Sequence, residues 1–133
     1  MIIKKLVIEN LRSFEKQEIV FPKGSTLLSG DIGAGKTTVL LGIEFALFGL
    51  QPQQKGSSLL RSGEDDAKVI LEFEVNSKEV VIQRSLKRNK KSVSQESASI
   101  SIDGEMFQAS ITEVKNKVLQ ILNYPSEFSK KTN

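Results

Sequence analysis

Gly30-Asp31-Ile32-Gly33-Ala34-Gly35-Lys36-Thr37 is the stretch around which the rest of this chain is organised. It meets the pattern G-x-x-x-x-G-K-[ST] at every fixed position. Glycines let the backbone fold so that successive amide N–H groups point inward at an anion, and the helix that follows presents its positive end to the same charge. Asp31, Ile32, Gly33, Ala34 and Gly35 would supply that backbone cradle. Lys36 would reach the β- and γ-phosphates of a nucleoside triphosphate as the catalytic cation. The Thr37 hydroxyl would ligate magnesium, and Thr38 would touch the α-phosphate.

Such a loop has this meaning only between a strand and a helix. Working outward, Ser25 to Ser29 carries Leu27 and Leu28 into the loop as a strand. Val39, Leu40, Leu41, Ile43, Phe45, Ala46, Leu47 and Phe48 follow as a helix that is apolar on nearly every side and should be buried against a sheet. Gly49 is placed to end it. Upstream, Ile2 to Ile8 and Gln17 to Phe21 are mostly apolar, β-branched runs that read as strands, the second closed by Pro22-Lys23-Gly24.

Downstream, residues 51–66 are rich in Gln, Ser, Gly and charge, and suit a surface loop. From Ala67 the pattern alternates, Val69, Leu71, Phe73 and Val75 against Lys68, Glu72 and Glu74, and Asn76-Ser77-Lys78 leads into Glu79 to Arg84. This predicts a β-hairpin with one wet face. A basic, Ser-rich stretch fills residues 85–97, after which Ala98 to Ile102 and Glu105 to Gln108 flank the turn dipeptide Asp103-Gly104 as a second hairpin. Ser110 and Glu113 form a capping box ahead of Ile111, Val114, Val118, Ile121 and Leu122 at helical spacing, with Asn123 and Pro125 as the stop. The fold class is α/β (α+β): a mixed sheet around a buried P-loop helix, plus antiparallel hairpins.

Composition narrows the chemistry. A chain of 133 residues with 38% hydrophobic content can build one core. There is no Cys and no His, so thiolate zinc sites, disulfides and imidazole bases are excluded. A metal would have to sit on oxygen, which suits magnesium with phosphate. No apolar run approaches the ~20 residues of a membrane span, and Met1 to Glu9 turns polar too soon for a signal peptide, so an intracellular setting without a membrane is expected. The net charge of +3 leans weakly toward anionic partners.

A triphosphatase of this type also needs a strand that ends in a carboxylate near the magnesium. Ile100-Ser101-Ile102-Asp103, with Glu105 nearby, is the local mimic. Its strand alternates, where a buried parallel strand would be continuously apolar, and Asp103-Gly104 reads better as a hairpin turn. The chain thus looks like half of a catalytic domain.

Ile3-Lys4-Lys5-Leu6-Val7-Ile8-Glu9-Asn10-Leu11-Arg12-Ser13-Phe14, then a short strand, then Gly30 to Thr38, closely resembles the N-terminal segment of the Rad-fifty and SbcC repair ATPases, cousins of the SMC and RecF proteins. The resemblance continues through Leu59-Leu60-Arg61-Ser62-Gly63 and the alternating Ala67 to Val75 strand. It implies that residues 1–133 form the N-terminal lobe of an ABC-type ATPase head, whose C-terminal lobe lies beyond a long antiparallel coiled coil and carries the Walker B and signature motifs. It also implies ATP and Mg2+ as cofactors and a second head that sandwiches the nucleotides. An Mre-type nuclease and double-stranded DNA would be the partners, in a prokaryotic cytoplasm close to the nucleoid. By the same resemblance Arg12 and Ser13 would approach the phosphates, while the stretch holding Arg61 and Ser62 would border the adenine. Position 32 departs from the family: many relatives carry Asn, and Ile32 cannot make that side-chain hydrogen bond.

Arg84, Lys87, Arg88, Lys90 and Lys91 form a basic cluster with no acid among them. On a hairpin tip it would contact DNA phosphates; as a solvated loop it would keep an edge strand from pairing. Rival functions are a nucleotide-binding interaction module without catalysis, an SMC- or RecF-like chromosome maintenance ATPase, and a small-molecule kinase. The kinase lacks an Arg-rich lid after the P-loop.

Overall fold

Alternation with period two puts every second side chain of a strand on the same face, and here it runs far beyond one hairpin. A computed structural model describes residues 1–22, 36–52, 54–90, 92–108 and 110–122, with Lys36 and Gln108 described by their backbone alone. The strands are β1 (Ile2–Leu11), β2 (Phe14–Val20), β3 (Asp66–Val75), β4 (Lys78–Asn89), β5 (Ser92–Ile102) and β6 (Glu105–Gln108). They form a six-stranded sheet in the order β2-β1-β3-β4-β5-β6. Every pairing among the described residues is antiparallel, from Leu6↔Ile19 and Leu6↔Leu71 to Ile100↔Phe107. The expected strand Ser25 to Ser29 and the expected stop at Asn123 and Pro125 lie outside the described residues.

One face of the sheet is the core. Leu6, Ile8, Val69, Leu71, Phe73, Ile82 and Ile100 are all buried at alternating positions. Register puts Leu71 beside Leu6 on one side and Ile82 on the other, so the buried rows run across the sheet. The opposite face carries ion pairs that bridge neighbouring strands, such as Lys5 to Glu18 at 2.8 Å and Lys68 to Glu9 at 3.3 Å. They are exposed, so they fix register more than they stabilise the fold.

Helix α1 (Lys36–Phe48) packs on the core face against β1, β3 and β4. Gly42 lies tight against β1: a Cβ there would meet Ile8 Cδ1 at 3.3 Å and Leu11 Cδ2 at 3.6 Å. Gly49 ends the helix as expected, with φ +75 and its N–H donated to the Phe45 carbonyl at 2.8 Å. Leu40 stays 39% exposed, so the helix is buried on most of its sides and not all round. Helix α2 (Ile111–Ile121) lies against β5 and α1 through Val114 and Val118, and its capping box between Ser110 and Glu113 is formed in both directions. Among the described residues no helix is long and apolar enough to cross a membrane.

The Ser-rich stretch 85–97, to which the sequence assigns no element, is mostly strand, because β4 runs on to Asn89 and β5 starts at Ser92. Two expectations are corrected. Residues 51–66 are not all surface, since a 3-10 turn at Gly56–Ser58 delivers Leu59 and Leu60 into the core. Arg84 is not part of the hairpin's basic tip, because the alternation Val80, Ile82, Arg84, Leu86 places it on the core face. Its Nε donates to the Ala46 carbonyl at 2.8 Å and its Nη2 to the Leu47 carbonyl at 3.3 Å, at the end of α1.

Candidate nucleotide site

The strand order brings the end of β1 to the beginning of α1. β1 pairs with β2 through a two-residue turn, Arg12 and Ser13, closed by the pair Leu11↔Phe14. Two residues beside Leu11 adopt left-handed backbone conformations without being glycine, Asn10 at φ 57 and Arg12 at φ 51. Such a conformation costs about 1 kcal/mol or more per residue and persists only where its surroundings enforce it.

The surroundings here are residues 59–61. Arg12 N–H donates to the Leu59 carbonyl at 2.8 Å, Arg61 N–H donates to the Asn10 carbonyl at 2.9 Å, and Leu11 and Leu60 form an isolated bridge. The Asn10 side-chain amide adds a bond to the Asp66 carbonyl at 3.1 Å. With Leu11, Leu59 and Leu60 buried beneath it, the turn is anchored from below as well as from the side.

Arg12, Ser13, Thr37, Thr38 and Ser58 line one open cleft of about 560 Å³. Thr37 is exposed in the first turn of α1, and Thr38 beside it is only 3% exposed. The first turn of a helix leaves backbone N–H groups unpaired and carries partial positive charge, so the cleft faces an anion-binding helix end on one side and the Arg12 turn on the other. Of the residues proposed from sequence, the structure brings together Arg12, Ser13, Thr37 and Thr38. Asp31, Ile32, Gly33, Ala34 and Gly35 lie outside the described residues, and of Lys36 only the backbone, at the start of α1, is described. Ser62 is in an exposed turn. Arg61 is not in the wall of the cleft; its Nη1 donates to the Ser13 carbonyl at 2.8 Å and the Arg12 carbonyl at 3.4 Å.

Ser58, which no sequence motif marks, also lines the cleft. It closes the 3-10 turn, with its hydroxyl donated to the Lys55 carbonyl at 2.7 Å. Its neighbourhood in sequence has no periodicity, so only the fold of residues 56–60 could place it.

The donor set suits a polyphosphate with an oxygen-bound cation. A helix N-terminus and a guanidinium favour anionic oxygen, and the Thr37 hydroxyl is a hard ligand of the kind magnesium takes together with phosphate. Among the described residues no group of three or more acidic side chains forms a cage for a metal. A cavity of about 640 Å³ between β5 and the start of α2 is larger, but it is lined by Gln83, Glu96, Ser97 and Ser110 and holds no cation to receive phosphate. The Walker B mimic is a turn: Asp103 and Gly104 have φ 50 and 85, and Asp103 Oδ1 accepts the Glu79 N–H at 2.9 Å.

Residues 5–133 match the family model described as AAA domain. The chain belongs to the AAA-domain family. Over 118 residues this AAA domain is 31% identical to the DNA double-strand break repair Rad50 ATPase of Thermoplasma acidophilum, a match that covers 89% of the chain and 13% of the relative. Over 132 residues it is 32% identical to the Rad50 ATPase of Methanosarcina acetivorans, covering 96% and 12%. The chain therefore spans about an eighth of the length of these relatives. Among solved structures its fold is similar to the recombination mediator protein RecF in its RecF-ATP structure, with TM-score 0.58, 23% identity and coverage of 81% of this chain and 28% of that one. It is also similar to the SMC head domain of Thermotoga maritima, with TM-score 0.55, 24% identity and coverage of 88% and 42%.

Proposed function

We propose that this AAA domain binds ATP with Mg2+ and is the N-terminal lobe of an ABC-type ATPase head, which hydrolyses ATP once a C-terminal lobe and a second head complete it. The observation that carries this reading is the shared cleft of Arg12, Ser13, Thr37 and Thr38, in which the β1–β2 turn faces the first turn of α1. Thr37 and Thr38 sit directly after Gly30 to Lys36, the phosphate-cradle motif.

The division of labour follows from the chemistry of each group. Backbone amides from Asp31 to Gly35 and the positive end of α1 hold the phosphates in a fixed place. Lys36 and Arg12 offset the charge of the terminal phosphates, and Ser13 supplies a hydroxyl donor. Thr37 is the residue that would hold magnesium, which when bound neutralises phosphate oxygens and orients them for in-line displacement. Thr38, nearly buried, supports the first turn beneath the α-phosphate. No carboxylate of the described residues lines this cleft, which supports the reading that a further lobe brings one, and this chain alone should turn ATP over negligibly.

The similarity to Rad50 ATPases supports a role in DNA double-strand break repair, with ATP-driven closure of two heads on double-stranded DNA and an Mre-type partner nuclease, in the cytoplasm of a prokaryotic cell. Lys87, Arg88 and Lys90 near the tip of the β4–β5 hairpin are the basic groups that would meet DNA phosphates, a contact that weakens with salt. An SMC- or RecF-like chromosome maintenance ATPase is a second reading, favoured by 38% identity over 93 residues to the DNA replication and repair protein RecF of Agathobacter rectalis.

The test is binding of Mg-ATP by the chain, followed by calorimetry. The parent should bind, and Lys36→Ala should weaken binding by about tenfold or more through loss of a charge-assisted contact. If the parent binds no nucleotide, or Lys36→Ala binds as well as the parent, the reading is wrong.

A further inference from the structure

We propose that Arg61 is a positioning residue for the phosphate site: it holds the turn that presents Arg12 and takes no part in recognising the base. The inference rests on the nucleotide reading above and deepens it. Arg61 is tied at both ends, its backbone N–H to the Asn10 carbonyl at 2.9 Å and its Nη1 to the carbonyls of Ser13 at 2.8 Å and Arg12 at 3.4 Å.

Those bonds fix the turn in a specific way. The Arg12 N–H, bound to the Leu59 carbonyl, sets the peptide plane between residues 11 and 12. The Arg12 and Ser13 carbonyls, bound to Arg61, set the two planes that follow. Every peptide plane of the turn is thus referenced to residues 59–61, which are themselves seated in the core by Leu59 and Leu60. Arg12 has φ 51, a conformation a non-glycine residue leaves unless it is held. A guanidinium can donate to two successive carbonyls from one plane, which an ammonium on a flexible stem cannot do with the same definition.

Arg61 is also absent from the wall of the cleft, while the two residues whose carbonyls it holds are both in it. It stands behind the turn, and the side-chain hydrogen bonds it makes, both from Nη1, go to the turn's carbonyls. Its effect on nucleotide must pass through Arg12 and Ser13.

The experiment compares the affinity of the chain for Mg-ATP, Mg-GTP and AMP in the parent, Arg61→Ala, Arg61→Lys, Arg12→Ala and the Arg12→Ala/Arg61→Ala double variant, with amide hydrogen exchange of the nucleotide-free proteins alongside. Arg61→Ala should weaken ATP about as much as Arg12→Ala does, leave AMP and the ATP-to-GTP ratio unchanged, and add no further loss in the double variant, because residues that act through one another are not additive. Arg61→Lys should recover only part of the loss. Exchange at the Arg12 amide should accelerate in both Arg61 variants while the β3 and β4 amides keep their protection, which shows that the variants are folded. An equal loss for ATP and AMP with a changed ATP-to-GTP ratio overturns the proposal in favour of a base contact, and so do additive losses in the double variant. If the parent binds no nucleotide, the nucleotide reading fails; unchanged exchange at Arg12 in Arg61→Ala overturns the clamp itself, whatever binds.

Discussion

Arg84 Nε donates to the Ala46 carbonyl oxygen at 2.8 Å, so a cation on β4 caps the C-terminal end of α1. The side chain is fully buried, and no carboxylate among the described residues pairs with it. Its compensation is the negative end of α1, where the Ala46 and Leu47 carbonyls lack partners within the helix. Burial pushes the guanidinium down to about 10, which leaves it charged at neutral pH. Replacement by Met keeps much of the volume but strands those carbonyls. Arg84→Met should lower stability by about 1–3 kcal/mol, read from the urea midpoint, and a variant as stable as the parent would show that the cap is idle.

Gly49 lies against the same group. A Cβ there would stand 2.6 Å from Gln95 Oε1 and 3.2 Å from Arg84 Nη1, at φ +75. Gln95 faces this spot because the pairing steps from Ser85↔Ser97 to Leu86↔Gln95, so that Glu96 is the extra residue of a bulge. Gly63, at φ +86, has nothing within 4 Å of its own Cβ position. Gly63→Ala should therefore cost only the backbone strain, about 1–2 kcal/mol, and Gly49→Ala measurably more. Thermal unfolding of the two variants side by side gives the difference, and equal losses would mean that Gln95 and Arg84 yield freely.

Phe73 is fully buried in β3, between Ile3 of β1 and Val80 of β4 in register. Phe73→Ala should destabilise by about 3–5 kcal/mol, the usual range for a large buried aromatic. Glu72→Ala, one residue away on the ion-paired face, should change stability by less than about 1 kcal/mol. A similar loss for both, by urea unfolding, would contradict the assignment of faces.

Glu113 is held below the ordinary carboxylate range by hydrogen bonds with Ser110, chiefly the one from the Ser110 backbone N–H at 3.2 Å. A carboxylate whose folded pKa is lowered stabilises the fold fully above its unfolded pKa, near 4.5, and loses that contribution as the pH falls through the lower folded value. Ser110→Ala should cost about 1 kcal/mol at pH 7 through loss of the cap. Glu113→Gln, which removes the titrating carboxylate, should flatten the fall in melting temperature between pH 5 and 3, while an unchanged acid slope would place the titration elsewhere.

Much of this protein was legible from one dimension. The alternation from Ala67 to Val75, the Asp103-Gly104 turn, the capping box at Ser110 and the helix after Lys36 all rest on local periodicity and turn chemistry, and each stands where it was expected. The placement of Arg12 and Ser13 on the turn after β1 followed from the family likeness and also stands.

What needed the tertiary structure was the fate of residues whose partners are distant in sequence. Arg84 looked like one more charge in a basic run, although the period-two count from Val80 already pointed it inward; only α1, some forty residues earlier, offers the carbonyls that make its burial tolerable. Arg61 has no local pattern at all, and its partners Arg12 and Ser13 lie nearly fifty residues upstream. Sequence by itself determined which elements form, because helices, turns and alternating strands are set by neighbours. Tertiary structure decided which polar side chains line the cleft and which bond distant backbone carbonyls, because a donor takes the acceptor that folding brings to it.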